Sequence, residues 1–83
     1  MLTAALLTLG QLRVIRGNLA AGHGGGVYNL GQVLMTSHGK ISNNQAGGRG
    51  GGVYNLGSVE LRGDAQIKDN AADGDGSGIY NDG

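Results

Sequence analysis

Gly24-Gly-Gly-Val-Tyr-Asn-Leu-Gly31 is repeated without change 26 residues later, as Gly50-Gly-Gly-Val-Tyr-Asn-Leu-Gly57. The same offset leads to a third, diverged copy, Gly76-Ser-Gly-Ile-Tyr-Asn-Asp-Gly83. No insertion or deletion is needed anywhere to align the copies. A fixed period of this length is typical of solenoids, in which each repeat stacks on its neighbours.

Many positions outside the Gly-rich stretch keep the same phase. The aligned columns are Leu7, Val33 and Val59; Leu9, Met35 and Leu61; Ile15, Ile41 and Ile67; Asn18, Asn44 and Asn70; Ala20, Ala46 and Ala72; Val27, Val53 and Ile79; and Tyr28, Tyr54 and Tyr80. The N-terminal segment therefore fits a degenerate repeat. A signal peptide is disfavoured, because the segment lacks a positively charged start.

Within one repeat the apolar residues alternate with polar ones. Val59 and Leu61 share one side of a segment, whereas Glu60 and Arg62 face the other side. This period of two is typical of a half-buried strand, and Gly, Asn, Ser and Asp between the segments indicate turns. The sequence predicts an all-β fold, a parallel β-solenoid of about three 26-residue coils. We expect one segment over residues 1–83, with coils at about 1–26, 27–52 and 53–78 and a further coil starting at 79–83.

Stacking places equivalent residues above one another, about 4.8 Å apart. The apolar columns should then face inward, at positions 7, 9, 15, 27, 33, 35, 41, 53, 59, 61, 67 and 79. Each Asn column can form a ladder of side-chain amides. The glycines at 22, 24 and 26 and their equivalents should serve the sharpest corner. Because Arg49 and Asp75 share a phase, we expect them to approach each other on the surface.

One segment carries a specific resemblance. Ile41-Ser-Asn-Asn-Gln-Ala-Gly-Gly-Arg-Gly-Gly-Gly-Val-Tyr-Asn55 resembles the repeat of the chlamydial-type polymorphic outer membrane proteins and related β-helix repeats of bacterial surface proteins. Ile41 stands where that pattern has Phe, and Gly52-Val53 stands where it has Ala-Ile. The resemblance extends over about residues 7–83. It implies a right-handed parallel β-helix of the pectin-lyase type, a passenger part of an exported protein, and a location outside the cell or at the outer membrane.

The composition argues against several kinds of partner. The formal net charge is +0 and the six basic residues are scattered along the chain, so neither a nucleic-acid footprint nor a membrane-surface patch is indicated. No apolar stretch reaches the length of a membrane-spanning helix. There is no Cys, hence no disulfide framework and no thiolate metal site.

Two short motifs are candidates for binding. Asp73-Gly-Asp-Gly-Ser-Gly78 has the spacing of the first half of a calcium loop, which makes Asp73, Asp75 and Ser77 weak metal-ligand candidates. The alternative is a solvated turn. Arg62-Gly63-Asp64 forms a tripeptide that some surface proteins use to engage integrins, although short motifs often occur by chance.

No combination of residues indicates catalysis. His23 and His38 fall in different repeat phases, so a two-histidine metal face is not expected. The aspartates also differ in phase, and no nucleophile and base are placed together, so we predict no catalytic residues and no cofactor. The Tyr28 column could form a stripe on which sugars stack, but a packing role is favoured.

Three functional hypotheses follow. The leading one is a non-catalytic structural or adhesive repeat of a bacterial surface protein. The second is a fragment of a carbohydrate-active or carbohydrate-binding β-helix, which would require a carboxylate cluster in neighbouring coils. The third, a disordered Gly-rich linker, is disfavoured by the in-register apolar columns. Neither end shows a cap, so we expect as partners further coils or a second copy, with a host or carbohydrate ligand left open.

Overall fold

The computed structural model describes the backbone of residues 2–9 and the backbone and side chains of residues 14–82. The inward placement predicted for the side chains at positions 7 and 9 lies outside this range, as does Gly83. The strands are β1 (Leu2–Leu9), β2 (Val14–Arg16), β3 (Leu19–Ala20), β4 (Val27–Met35), β5 (Lys40–Ser42), β6 (Gln45–Ala46), β7 (Val53–Asn55), β8 (Ser58–Leu61), β9 (Gln66–Lys68), β10 (Ala71–Ala72) and β11 (Ile79–Asn81).

These strands form three parallel sheets. Sheet A has the order β1-β4-β7-β11, with β8 also pairing with β4; sheet B has the order β2-β5-β9; and sheet C has the order β3-β6-β10. The chain visits sheet B, then sheet C, then sheet A, and returns to sheet B in the next repeat. This is the parallel, all-β arrangement predicted from the sequence, and it is consistent with a solenoid.

Strand pairing follows the repeat. Val53 pairs with Val27 on one side and Ile79 on the other, and Ile41 pairs with Ile15 and Ile67. Like residues therefore stack on like. The predicted 26-residue register is confirmed for all strands from β2 onward.

The first copy departs from this register. Leu2, Thr3 and Ala4 in β1 pair with partners 25 residues later, whereas Leu6 and the residues after it pair 26 residues later. The shift lies between Ala4 and Leu6, where β4 holds one residue more than β1. The prediction of an uninterrupted alignment was wrong here, because a local irregularity in the pairing absorbs the missing residue.

The core is formed by the predicted inward columns. Val27, Val33, Met35, Ile41 and Val53 are fully buried, and the partly buried Ile15, Val59, Ala65 and Ile67 pack against them. Two inward predictions were wrong: Leu61 is 43% exposed and Ile79 is 37% exposed. Within the described residues each is paired on one side only, with Met35 and Val53 respectively, so the other side of each side chain is open.

Left-handed backbone recurs at fixed phases and forms the corners. The angle φ is +73° at Gly24, +73° at Gly50 and +72° at Gly76. A second corner has φ of +69° at Gly17, +55° at Asn43 and +57° at Asp69, so Gly, Asn and Asp supply the same conformation, as their tolerance of it allows. Gly22, in contrast, has open space around it and no positive φ, so the expectation that it serves the sharpest corner was wrong.

Two ladders of asparagine side chains run through the stacked layers. The Nδ2 of Asn18 donates to Oδ1 of Asn44 at 3.0 Å, and Asn44 donates in the same way to Asn70 at 3.0 Å. In the second ladder, Asn29 donates to Asn55 at 2.6 Å, and Asn55 donates to Asn81 at 2.7 Å. The predicted ladders are confirmed, and they satisfy buried polar groups that would otherwise oppose stacking.

Candidate binding surfaces

An aromatic ladder is the most ordered group of outward-facing side chains. The ring centroids of Tyr54 and Tyr80 are 5.2 Å apart and nearly coplanar in orientation, at 3°. The rings of Tyr28 and Tyr54 are 5.0 Å apart and tilted by 34°. His23 stacks on Tyr54 at 4.4 Å and 12°. Equivalent tyrosines therefore contact one another along the stack, as their common phase requires.

This ladder has little ring surface left for a sugar. Tyr54 is only 9% exposed, because rings of neighbouring layers cover it. Burial among these rings, with the nearby phenols adding to it, raises the pKa of Tyr54 above its ordinary value of 10.0. A neutral, covered phenol is typical of packing, so the geometry favours the packing interpretation over a sugar-stacking stripe.

Arg49 joins the aromatic ladder instead of pairing with an acid. Its guanidinium carbon lies 5.0 Å from the centre of the Tyr80 ring, and Nη1 donates to the Tyr80 hydroxyl at 3.1 Å. The backbone N–H of Arg49 also donates to Nδ1 of His23 at 2.8 Å. Among the described residues Arg49 makes no ion pair with Asp75, so that prediction was wrong. The ring offers both a negative face and a hydroxyl acceptor, whereas an exposed carboxylate offers little net gain.

We expect this choice of partner to be measurable. In a double-mutant cycle, Arg49→Gln and Tyr80→Leu should couple by about 0.5 kcal/mol in the free energy of unfolding, as an exposed cation–π contact does. The matched cycle of Arg49→Gln with Asp75→Asn should couple by less than about 0.3 kcal/mol, as non-interacting sites do. A larger coupling to Asp75 than to Tyr80 would contradict the observed geometry.

The Arg62-Gly63-Asp64 tripeptide lies on the turn between β8 and β9. Gly63 has φ of +65°, and both charged side chains are exposed. Arg62 forms an ion pair with Glu60 of its own strand, and the Asp64 carboxylate lies 3.7 Å from Nδ1 of His38 in the adjacent layer. Exposed pairs of this kind contribute little stability. A receptor would therefore have to displace only weak contacts to engage the tripeptide.

The three weak metal-ligand candidates lie on the turn between β10 and β11. Asp73, Asp75 and Ser77 are all exposed. The backbone carbonyls of Asp75 and Ser77 accept hydrogen bonds from Gly50 and Gly52 of the preceding layer, at 3.0 and 3.1 Å. Within the described part of the chain, no three side chains of His, Cys, Asp or Glu gather into a group that could hold a metal ion. The turn is thus shaped by stacking contacts of its backbone.

Folding brings together basic residues that are far apart in sequence. Arg16, Lys40 and Lys68 lie on the strands of sheet B, next to the inward column Ile15, Ile41 and Ile67. A groove of about 530 Å³ is lined by all three. The expectation of scattered basic residues was therefore wrong for this face. Sorting the charges by repeat phase would have revealed the cluster, because Arg16 and Lys68 share one phase and Lys40 is two residues out of it.

Comparison with known proteins gives one match. Residues 40–56 match the Chlamydia polymorphic membrane protein (Chlamydia_PMP) repeat. No curated protein and no solved structure matches the chain. The matched segment contains β5, β6 and β7, and with them the middle rungs of both asparagine ladders. It supports the polymorphic membrane protein-type repeat predicted from the sequence and, coarsely, a location at the cell surface. In the described residues, no helix has the length and apolar character needed to cross a membrane.

Proposed function

We propose that the chain is a segment of a right-handed parallel β-helix, with about three 26-residue coils, in the exposed part of a bacterial surface protein. Its role is structural and adhesive, without catalysis. The observation that carries this proposal is the vertical repetition of the interior: apolar residues and asparagines contact their own equivalents in successive layers. Such a scaffold extends by adding layers and presents its outer faces over a long distance.

The outer faces support binding more than chemistry. Residues that could react differ from layer to layer and lie in exposed turns, whereas catalysis needs a group of side chains held together. A carbohydrate-binding β-helix is the second candidate, and the groove over sheet B is the observation that favours it. That groove contains Asp69 but no pair of carboxylates, which is why we place binding before hydrolysis.

The proposed partners include further coils of the same solenoid or a second copy. Within the described residues, the outer strands β9 and β10 each pair on one side only. Such edges present free N–H and C=O groups to an added strand. A neighbouring coil would also cover Leu61 and Ile79, the two inward-column side chains that are exposed here.

Adhesion of coated beads tests the function. Beads carrying the chain should attach to cultured animal cells more than beads carrying a chain of the same composition in scrambled order. The scrambled chain keeps the Gly content and net charge but loses the ladders. Equal attachment of both kinds of bead, or release of sugars from a polysaccharide by the chain, would overturn the proposal.

A further inference from the structure

The outer face of sheet B carries half of the chain's basic residues. Two outward columns flank the buried Ile15, Ile41 and Ile67. One holds Val14, Lys40 and Gln66, and the other holds Arg16, Ser42 and Lys68. The six Lys and Arg residues of the chain thus contribute three to this one narrow face.

The three cations have a regular spacing. Arg16 and Lys68 share a column and lie two layers apart, about 10 Å along the stack. Lys40 lies in the layer between them, displaced by two residues, or about 7 Å, along the strand. The small Ser42 lies between Arg16 and Lys68 and is buried, which leaves room for a groove between the longer side chains.

These cations are not neutralised within the described residues. The ion pairs there are Arg62 with Glu60 and His38 with Asp64, and Arg49 contacts Tyr80. Arg16, Lys40 and Lys68 make none. Asp69 is the single acid lining their groove, so the lining carries a net charge of about +2 from three cations and one carboxylate. A second groove, lined by His38 and Asp64, shares Lys40 and continues the depression along sheet B.

We propose that this face binds an extended sulfated or carboxylated polysaccharide. This inference rests on the proposed adhesive function and names its ligand class. An elongated groove with cations about 10 Å apart fits a linear polyanion, whose charges recur along its length. A nucleic acid is disfavoured because the three tyrosines lie in the aromatic ladder on sheet A, away from the groove, and single-stranded nucleic acid is held largely by stacking on aromatic rings. The amide of Asn43 and the hydroxyl of Ser42 add hydrogen-bonding groups for sugar hydroxyls.

Heparin is the probe, and two double variants that remove the same charge provide the comparison. Arg16→Gln with Lys68→Gln should weaken heparin binding by at least about tenfold and lower the slope of log affinity against log salt by about 2. Arg49→Gln with Arg62→Gln removes the same two charges from other faces and should weaken binding by less than about twofold. Arg16→Lys with Lys68→Arg keeps the charges and should bind like the original chain.

Equal losses for the two double variants would overturn the inference, since binding would then follow net charge alone. Binding of neutral dextran as tightly as heparin would refute the anionic class, and tighter binding of a single-stranded oligonucleotide would favour nucleic acid instead. Unchanged thermal unfolding shows that the exposed substitutions leave the fold intact. Beads that still attach to cells while the chain ignores heparin would refute this inference and leave the adhesive function standing.

Discussion

Gly51→Ala should lower the free energy of unfolding by at least about 3 kcal/mol, enough to prevent folding of a small domain. A Cβ at this position would overlap the carbonyl oxygens of both Ala71 and Ser77 in the next layer. These oxygens belong to backbone that is fixed by stacking, so they cannot move aside as a flexible side chain would. The layers would have to separate, and the hydrogen bonds from Gly51 and Gly52 to the next layer would be lost.

Gly22→Ala is the matched control. A Cβ there meets nothing within 4 Å, and the backbone lies outside the left-handed region. Its effect should be within about 0.5 kcal/mol, because the alanine only restricts the unfolded chain. Urea unfolding of both variants compares the two glycines directly. If both substitutions cost the same, the damage would come from helical or strand propensity and not from the close approach of layers.

Asn44→Ala should cost about 2–4 kcal/mol, since it removes the middle rung of a buried ladder. Asn44 is 1% exposed. Its Oδ1 accepts from the backbone N–H and from Nδ2 of Asn18, each at 3.0 Å, and its Nδ2 donates to the Ile15 carbonyl at 3.2 Å and to Asn70 at 3.0 Å. The substitution leaves several of these groups buried without a partner, which costs more than the bonds themselves contribute.

Gln45→Ala, at the exposed neighbouring position, provides the control and should change stability by less than about 0.5 kcal/mol. Asn44→Asp separates the two halves of the ladder. It retains the acceptor for Asn18 but loses the donor to Ile15 and Asn70, and it buries a charge, so it should destabilise at least as much as Asn44→Ala. Equal unfolding midpoints for Asn44→Ala and Gln45→Ala would rule out a stabilising ladder.

The stacking could be predicted from the sequence because a solenoid turns spacing into contact. Once Val27 and Val53 are known to share a phase, their pairing follows, and the same reasoning places Asn18 beside Asn44. Burial on the outermost side of a layer does not follow, because it depends on what lies beyond. Leu61 has the same pattern as Met35, yet the structure exposes it.

Features between different phases could not be predicted in this way. Arg49 contacts Tyr80, which is 31 residues away and not 26, because a long side chain chooses among neighbours by the strength of each contact. The cationic face of sheet B was missed for a related reason: its members occupy two phases, so no single column displays it. The register shift at β1 was missed because the first copy shares too few residues with the others to locate a missing one.

The constant offset of the pairing also bears on how such a chain can change in length. Because Val27, Asn29 and Ile41 contact only their equivalents one layer away, excising residues 27–52 would join residue 26 to residue 53 and leave every later position in its former phase. Duplicating the same segment would be equally conservative. Unequal recombination between neighbouring copies would therefore yield shorter or longer proteins whose interfaces are already complementary, whereas a deletion of any other size would place Asn against Val along the whole remaining stack.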